Sequence, residues 1–225
     1  MPKKNVETIE IKPVEIVTID IRIVGDTPLI MHRWSEKAKR EILDKEMGKA
    51  KKAREIKRPV DDFCRSIYWL EGCPAEGASD DEIMEAVPNG RFGFPVTAIK
   101  QAAISAAYRS GMSKDKVSLQ GAFFIDGIGE EQLAEVKGDK PHIREDMVRV
   151  GMGSADIRYR GEFNRWYMDL TLRYNKNGQY SLEQILNIIN LGGFCCGIGE
   201  WRPEKSGQNG MFHLDVPNTG KKVRV

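Results

Sequence analysis

The chain has no apolar run long enough to cross a bilayer, and Met1-Pro2-Lys3-Lys4 lacks the hydrophobic core of a secretory signal. Cysteine is scarce. Cys64, Cys73, Cys195 and Cys196 form neither a paired C-x-x-C metal pattern nor a dense disulfide framework, and adjacent Cys195 and Cys196 are expected to pack as small apolar groups. His32, His142 and His213 are scattered and suggest no zinc site. No P-loop spacing and no nucleophile–base arrangement is present, so no catalytic residue, metal or cofactor is expected. The net charge of +2 is too small to imply nucleic acid by itself, which leaves the distribution of charge to carry that argument. Together these absences lead us to expect a cytoplasmic chain with no membrane partner.

What is there suits an ordered protein. With 225 residues, 40% hydrophobic and 30% charged, the chain can bury a real core as one domain with insertions or as two small ones. Residues 14–24 alternate, with Ile16, Thr18, Asp20 and Arg22 on one face, and predict a half-buried strand. Leu29 to Trp34 reads as a short extended segment. A helix is predicted from Val96 to Tyr108, its Ala102, Ala103, Ala106 and Ala107 forming a small-residue face. Ala122-Phe123-Phe124-Ile125 predicts a strand buried on both faces. Arg165 to Tyr174 predicts another strand, with Trp166, Met168, Leu170, Leu172 and Tyr174 toward the core. Ser181 and Gln184 form a capping box for a helix expected to end at Gly192-Gly193, and a last strand spans Met211 to Val216.

Two excursions interrupt this series. Residues 36–58 carry ten Lys or Arg against five Asp or Glu with few apolar residues, so a projecting charged helix is expected, either a solvated face or a basic surface for nucleic acid. A short helix over Val60–Leu70 and an acidic loop over 71–90 follow. Residues 127–165 contain alternating segments, 147–150 and 157–160, that read as a hairpin with Arg158 and Arg160 on one face and Ile157 and Tyr159 on the other. Without the excursions the order is β-α-β-β-α-β. The predicted class is therefore α+β: one RRM-like, ferredoxin-like domain over 1–225, with a helical insertion at 35–90 after strand 1 and a hairpin insertion at 127–165 between strands 2 and 3. The sheet face opposite the helices is expected to be free for nucleic acid.

Residues 191–212 hold six glycines with Arg202 and Lys205 between them. Such a loop suits main-chain contact with a sugar-phosphate backbone, or serves only as a connector whose glycines make turns. The candidate phosphate contacts are Arg33, Lys37, Lys39 and Arg40, then Lys100 and Gln101 in the first turns of a helix, then Arg202 and Lys205 with Gly197, Gly199 and Gly207 in the loop. On the hairpin, Arg149, Arg158 and Arg160 are candidates to hold or separate bases. Met31, Met152, Tyr159 and Trp201 are candidate wedges or stacking platforms, with packing under the loop the other reading of Trp201 and a core position the other reading of Met31. Asp61, Asp62, Asp80 and Asp81 offer carboxylates for a divalent metal in principle, outside any recognisable motif, and a solvated acidic loop is the competing reading.

The segment Phe94-Pro95-Val96-Thr97-Ala98-Ile99-Lys100-Gln101 to Arg109, the exit Thr27-Pro28-Leu29-Ile30-Met31 and the loop from Gly197-Ile198-Gly199 to Gly207-Gln208-Asn209-Gly210-Met211-Phe212 resemble, in this order, the corresponding segments of the RAMP superfamily. The plan is most similar to the backbone subunit of CRISPR effector complexes, in which an RRM-like palm carries a helical insertion after the first strand and a hairpin thumb between the second and third. Val96-Thr97-Ala98 departs from the Gly-Ser-Ser-rich helix entry usual there. The resemblance implies sequence-independent binding of a guide-like RNA, homo-oligomers stacked along it, target nucleic acid paired to it, and companion effector subunits. The alternatives are a phage single-stranded nucleic acid annealing protein, a RAMP-type inhibitor of CRISPR complexes, and a metal-dependent ribonuclease using an Asp within 61–81.

Overall fold

A computed structural model describes residues 13–34, 36–49, 56–150 and 154–215, the side chains of 36–38, 41, 45, 150 and 154 excepted. Its elements in chain order are β1 (Ile16–Gly25), β2 (Leu29–Met31), α1 (Glu36–Glu46), α2 (Pro59–Ser66), β3 (Tyr68–Glu71), α3 (Asp80–Ala86), β4 (Arg91–Pro95), α4 (Val96–Arg109), α5 (Lys116–Gln120), β5 (Phe123–Ile125), β6 (Leu133–Gly138), β7 (His142–Val150), β8 (Ser154–Phe163), β9 (Trp166–Asn175), α6 (Leu182–Cys195) and β10 (Phe212–Leu214). The class is α+β. Among the described residues no helix is long and apolar enough to cross a membrane.

The alternation of β1 and β9 sets the centre of the structure. They pair antiparallel from Ile16↔Asn175 to Val24↔Tyr167, so Ile21 and Ile23 stand beside Leu170 and Met168 on the core side. The main sheet runs β10-β1-β9-β6-β4-β3, and β5 shares the outer edge of β9 with β6. β5 takes the Leu172–Tyr174 end and β6 the Trp166–Tyr167 end. This sheet has seven strands where the sequence reading expected four. Of the additional strands, β3 and β6 lie inside the two excursions and β4 directly after the first, and their short runs lack the long alternation that marks β1 and β9.

The helices α4 and α6 pack on each other and on this sheet. Gly192 and Gly193 were expected to stop α6, yet the helix continues through them to Cys195. Their role is close approach: a Cβ on Gly192 would lie 2.7 Å from the Ala103 nitrogen, and one on Gly193 would overlap the Phe212 carbonyl. The alanine face of α4 is what meets Gly192, with Ala102, Ala103, Ala106 and Ala107 all buried. Ser181 and Gln184 do form the capping box, and a second one, Ser79 with Glu82, opens α3 inside a stretch expected to be loop. The helix expected over 60–70 stops at Ser66, and Trp69 instead packs on Phe92, ring centroids 4.7 Å apart, as β3 pairs with β4. Phe124 is 51% exposed, so β5 is not buried on both faces.

A second sheet, β2-β8-β7, carries the hairpin. β2 pairs only with Phe163 to Gly161, whereas β7 and β8 run on together to Val150↔Ser154. α2 covers its base, where Gly161 sits against Ile67. On α1, Ile42 and Leu43 are exposed, as is Met47 just beyond it, in keeping with a helix that has little to bury.

Candidate nucleic-acid cleft

The glycine loop after α6 folds onto its own domain. Glu200 N–H donates to the Ile30 carbonyl at 2.9 Å and Gly210 N–H to that of Pro28 at 2.8 Å. Within the loop, Ile198 N–H donates to Gly210, Asn209 N–H to Trp201 and Gly207 N–H to Arg202, each at 2.9–3.0 Å. Many of the main-chain donors expected to face phosphate are thus consumed internally. The glycines are required by that closure: Gly199 lies on the Ile30 carbonyl, Gly207 on that of Trp201 and Gly210 on that of Ile198, none with room for a Cβ. Trp201 and Ser206 adopt φ of 53° and 63°, a left-handed conformation that non-glycine residues hold only at a cost.

One side of the closed loop forms a cleft of about 210 Å³ against the first half of α4. Ala98 and Gln101 line it from the helix, and Gly197, Gly199, Glu200, Arg202 and Glu204 from the loop. His32 reaches in from the end of β2, and Tyr68 and Phe94 form an apolar wall, their rings edge-on with centroids 6.2 Å apart. Four of the sequence-predicted residues, Gln101, Gly197, Gly199 and Arg202, are therefore brought together. Missed were Glu200, Glu204 and Tyr68, and His32 had been considered as a zinc ligand and set aside.

The charges in this cleft are paired. Arg202 gives Nε and a terminal nitrogen to Glu204 at 3.1 and 3.0 Å and its other terminal nitrogen to the Gly199 carbonyl at 2.9 Å. Glu204 also accepts from Arg109 at 3.1 Å. Glu200 stands 3.4 Å from His32 Nδ1 and 3.6 Å from Arg160, and the His32 hydrogen bond holds its carboxyl below the usual range against the opposing effect of burial. Lys205 is exposed and has no ion pair among the described residues.

Behind the loop, the hairpin presents its even-numbered face. Arg160 is 3% exposed and binds Asp146 at 2.7 Å, so it is a buried structural ion pair and not a residue able to hold bases. Burial raises the Asp146 carboxyl, and hydrogen bonds from Arg144, Arg160 and Trp201 outweigh it and leave its pKa lowered. Trp201, in the loop, thereby helps to keep Asp146 charged, although 40% of it stays exposed. Arg158 is half-buried, 3.9 Å from Asp156. Arg149, farther out, is exposed without an ion pair among the described residues.

Other candidates are placed differently from expectation. Met31 is fully buried and cannot be a wedge, and Tyr159 is half-buried against the core. Lys100 turns away from the cleft that its neighbour Gln101 lines, because adjacent helical residues point about 100° apart. Its Nζ donates to the Gln120 carbonyl at 2.6 Å over the Phe124 ring, and burial lowers its pKa. Arg33 is bound to Glu131 at 2.9 Å beside Tyr68. Lys39 and Arg40 are exposed on α1. Met152 and the Lys37 side chain lie outside the described residues.

The open face of the main sheet is charge-matched. Asp169 joins Arg22 at 2.7 Å to Lys137 at 2.9 Å, Arg91 binds Glu135 at 2.8 Å and Arg173 binds Asp126 at 2.6 Å. Cations already neutralised in this way release few counterions on meeting phosphate, so this face is a poor polyanion surface. In the 61–81 stretch, Asp61 is bound by Arg65 and Asp80 by Arg58. No cluster of three or more His, Cys, Asp or Glu able to hold a metal occurs among the described residues. No protein-family model matches the chain, and no curated protein matches it either.

Proposed function

We propose that this protein binds single-stranded RNA, without strict sequence preference, across the cleft between the glycine loop and α4. The domain is read as an RRM-like palm: β1, α4, β5, β9, α6 and β10 follow the β-α-β-β-α-β order, and the strand order β10-β1-β9-β5 is that of a ferredoxin-like sheet. The hairpin β7–β8 then takes the thumb position. Copies of the chain are proposed to stack along a guide-like RNA, in keeping with the resemblance to CRISPR backbone subunits.

The observation that carries the reading is the convergence of Gln101, Gly197, Gly199 and Arg202 on one cleft, with Lys205 in the same loop and the hairpin packed behind it. These residues are widely separated in sequence and belong to the segments singled out for nucleic acid. Because most nearby cations already have carboxylate partners, the bound strand meets only one or two free cations outside the cleft lining, Lys205 among them, and log K should fall with log salt with a slope of only about −0.7 to −1.4.

The test is fluorescence anisotropy with labelled single-stranded RNA of about thirty nucleotides, the matching DNA, and duplexes. Ala98→Glu places a carboxylate in the cleft while favouring the first turn of α4, so the fold should hold while affinity for RNA drops about tenfold. Equal affinity for wild type and variant would remove the cleft from the site, and preference for DNA would favour a strand-annealing protein.

A further inference from the structure

The cleft lies where the glycine loop meets a helix N-terminus, yet its lining is not that of a phosphate site. Two carboxylates, Glu200 and Glu204, face into it. Glu204 is saturated by Arg109 and the fork of Arg202. Glu200 is not: its side chain is 39% exposed, and its contacts to His32 at 3.4 Å and Arg160 at 3.6 Å are long, which leaves acceptor capacity open to the cleft. Gln101 donates its amide nitrogen to Ser105 at 3.2 Å, so its carbonyl oxygen is a second acceptor. The rest of the lining is largely apolar, with Tyr68, Phe94, Pro95 and Ala98.

With Arg202 engaged by Glu204, free acceptors beside apolar side chains suit a flat heterocycle that carries N–H donors better than they suit a phosphate. The volume, about 210 Å³, is below the roughly 300–1,000 Å³ of pockets for drug-sized ligands and suits a single base. We propose that the cleft takes one nucleobase bearing an exocyclic amine, turned out of the bound strand, with Glu200 accepting from the amine and the Tyr68–Phe94 wall against the ring. This deepens the RNA reading above and rests on it. The rest of the strand is held through ribose and phosphate, so the preference concerns one base per protomer. Uracil, which offers carbonyl oxygens where the amine would be, places acceptor against acceptor and is disfavoured.

The experiment compares labelled adenine, cytosine and uracil RNA homopolymers of about fifteen nucleotides by anisotropy. The adenine and cytosine tracts should bind about tenfold tighter than the uracil tract. Cytosine against uracil controls for ring size. A uracil tract carrying one adenosine should recover affinity, and the same tract carrying purine riboside, which lacks the amine, should not. Glu200→Gln should compress the cytosine-to-uracil ratio toward one; the base substitutions test the idea independently should that variant fold poorly. Three tracts binding within about twofold of one another, or a ratio unchanged in Glu200→Gln, overturns the inference and leaves RNA binding standing. Binding of none of the tracts overturns the RNA reading itself.

Discussion

The two ends of the β7–β8 hairpin share one alternation and differ in everything else. At the base, the even-numbered face buries Arg160, Asp146 and Glu162, and Arg160 stands 3.6 Å from Glu200 of the glycine loop. At the far end the same ladder carries Arg149 into solvent and leaves Met147 76% exposed. Arginine is a structural element in the first place and a free cation in the second. The difference lies in what reaches each segment: Glu200 and Trp201 of the loop meet Arg160 and Asp146 at the base, whereas Arg149 farther out is exposed. A charged residue in an alternating strand therefore takes its role from the third element laid against it.

The comparison can be broken most sharply at Arg160. Replacing it by Ala leaves buried Asp146 with only the half-buried Arg144 as an ion-pair partner and should cost about 3 kcal/mol in urea unfolding, the low end for a broken buried pair. The double change Arg160→Leu with Asp146→Leu should be milder than either single change, since no unpaired charge remains. A double variant as unstable as Arg160→Ala would mean that shape, not charge, decides the base.

Acid provides the next largest effect. Asp146 and Glu200 have lowered folded-state pKa values, so the stability they contribute is complete above the unfolded values of 3.8 and 4.5 and is lost as pH falls through the lower folded values. Urea midpoints should therefore hold down to about pH 5 and drop steeply between about pH 4 and about pH 2. In Asp146→Asn that drop should be shallower, which ties it to the base of the hairpin. The smallest effect belongs to the far end. Arg149→Glu should change stability by less than about 0.5 kcal/mol and weaken RNA binding by about threefold, a split that a purely structural arginine would not show.

The legible parts were those set by local rules. Alternation over residues 14–24 and 165–174 identified β1 and β9, with the core face of β9 assigned correctly, and the Ser181–Gln184 box marked the start of α6. A matching box at Ser79 and Glu82 was equally readable and was passed over inside an acidic stretch. The short strands β3, β4 and β6 gave too few residues to show a period. Of the candidate site, the glycine loop and Gln101 were found, whereas Glu200, Glu204 and Tyr68 were not, because nothing local distinguishes a carboxylate or ring that faces a cleft from one that faces water.

The sequence by itself therefore determined the class of the fold, the core face of β9 and the places where helices begin, since each depends on residues within a few positions of one another. Only the tertiary structure decided which cations are spent on carboxylates, that the loop's glycines serve its own closure, and that Met31 and Arg160 lie inside. Those outcomes depend on distant segments coming into contact, and contact sets the solvation and partners from which a side chain takes its role.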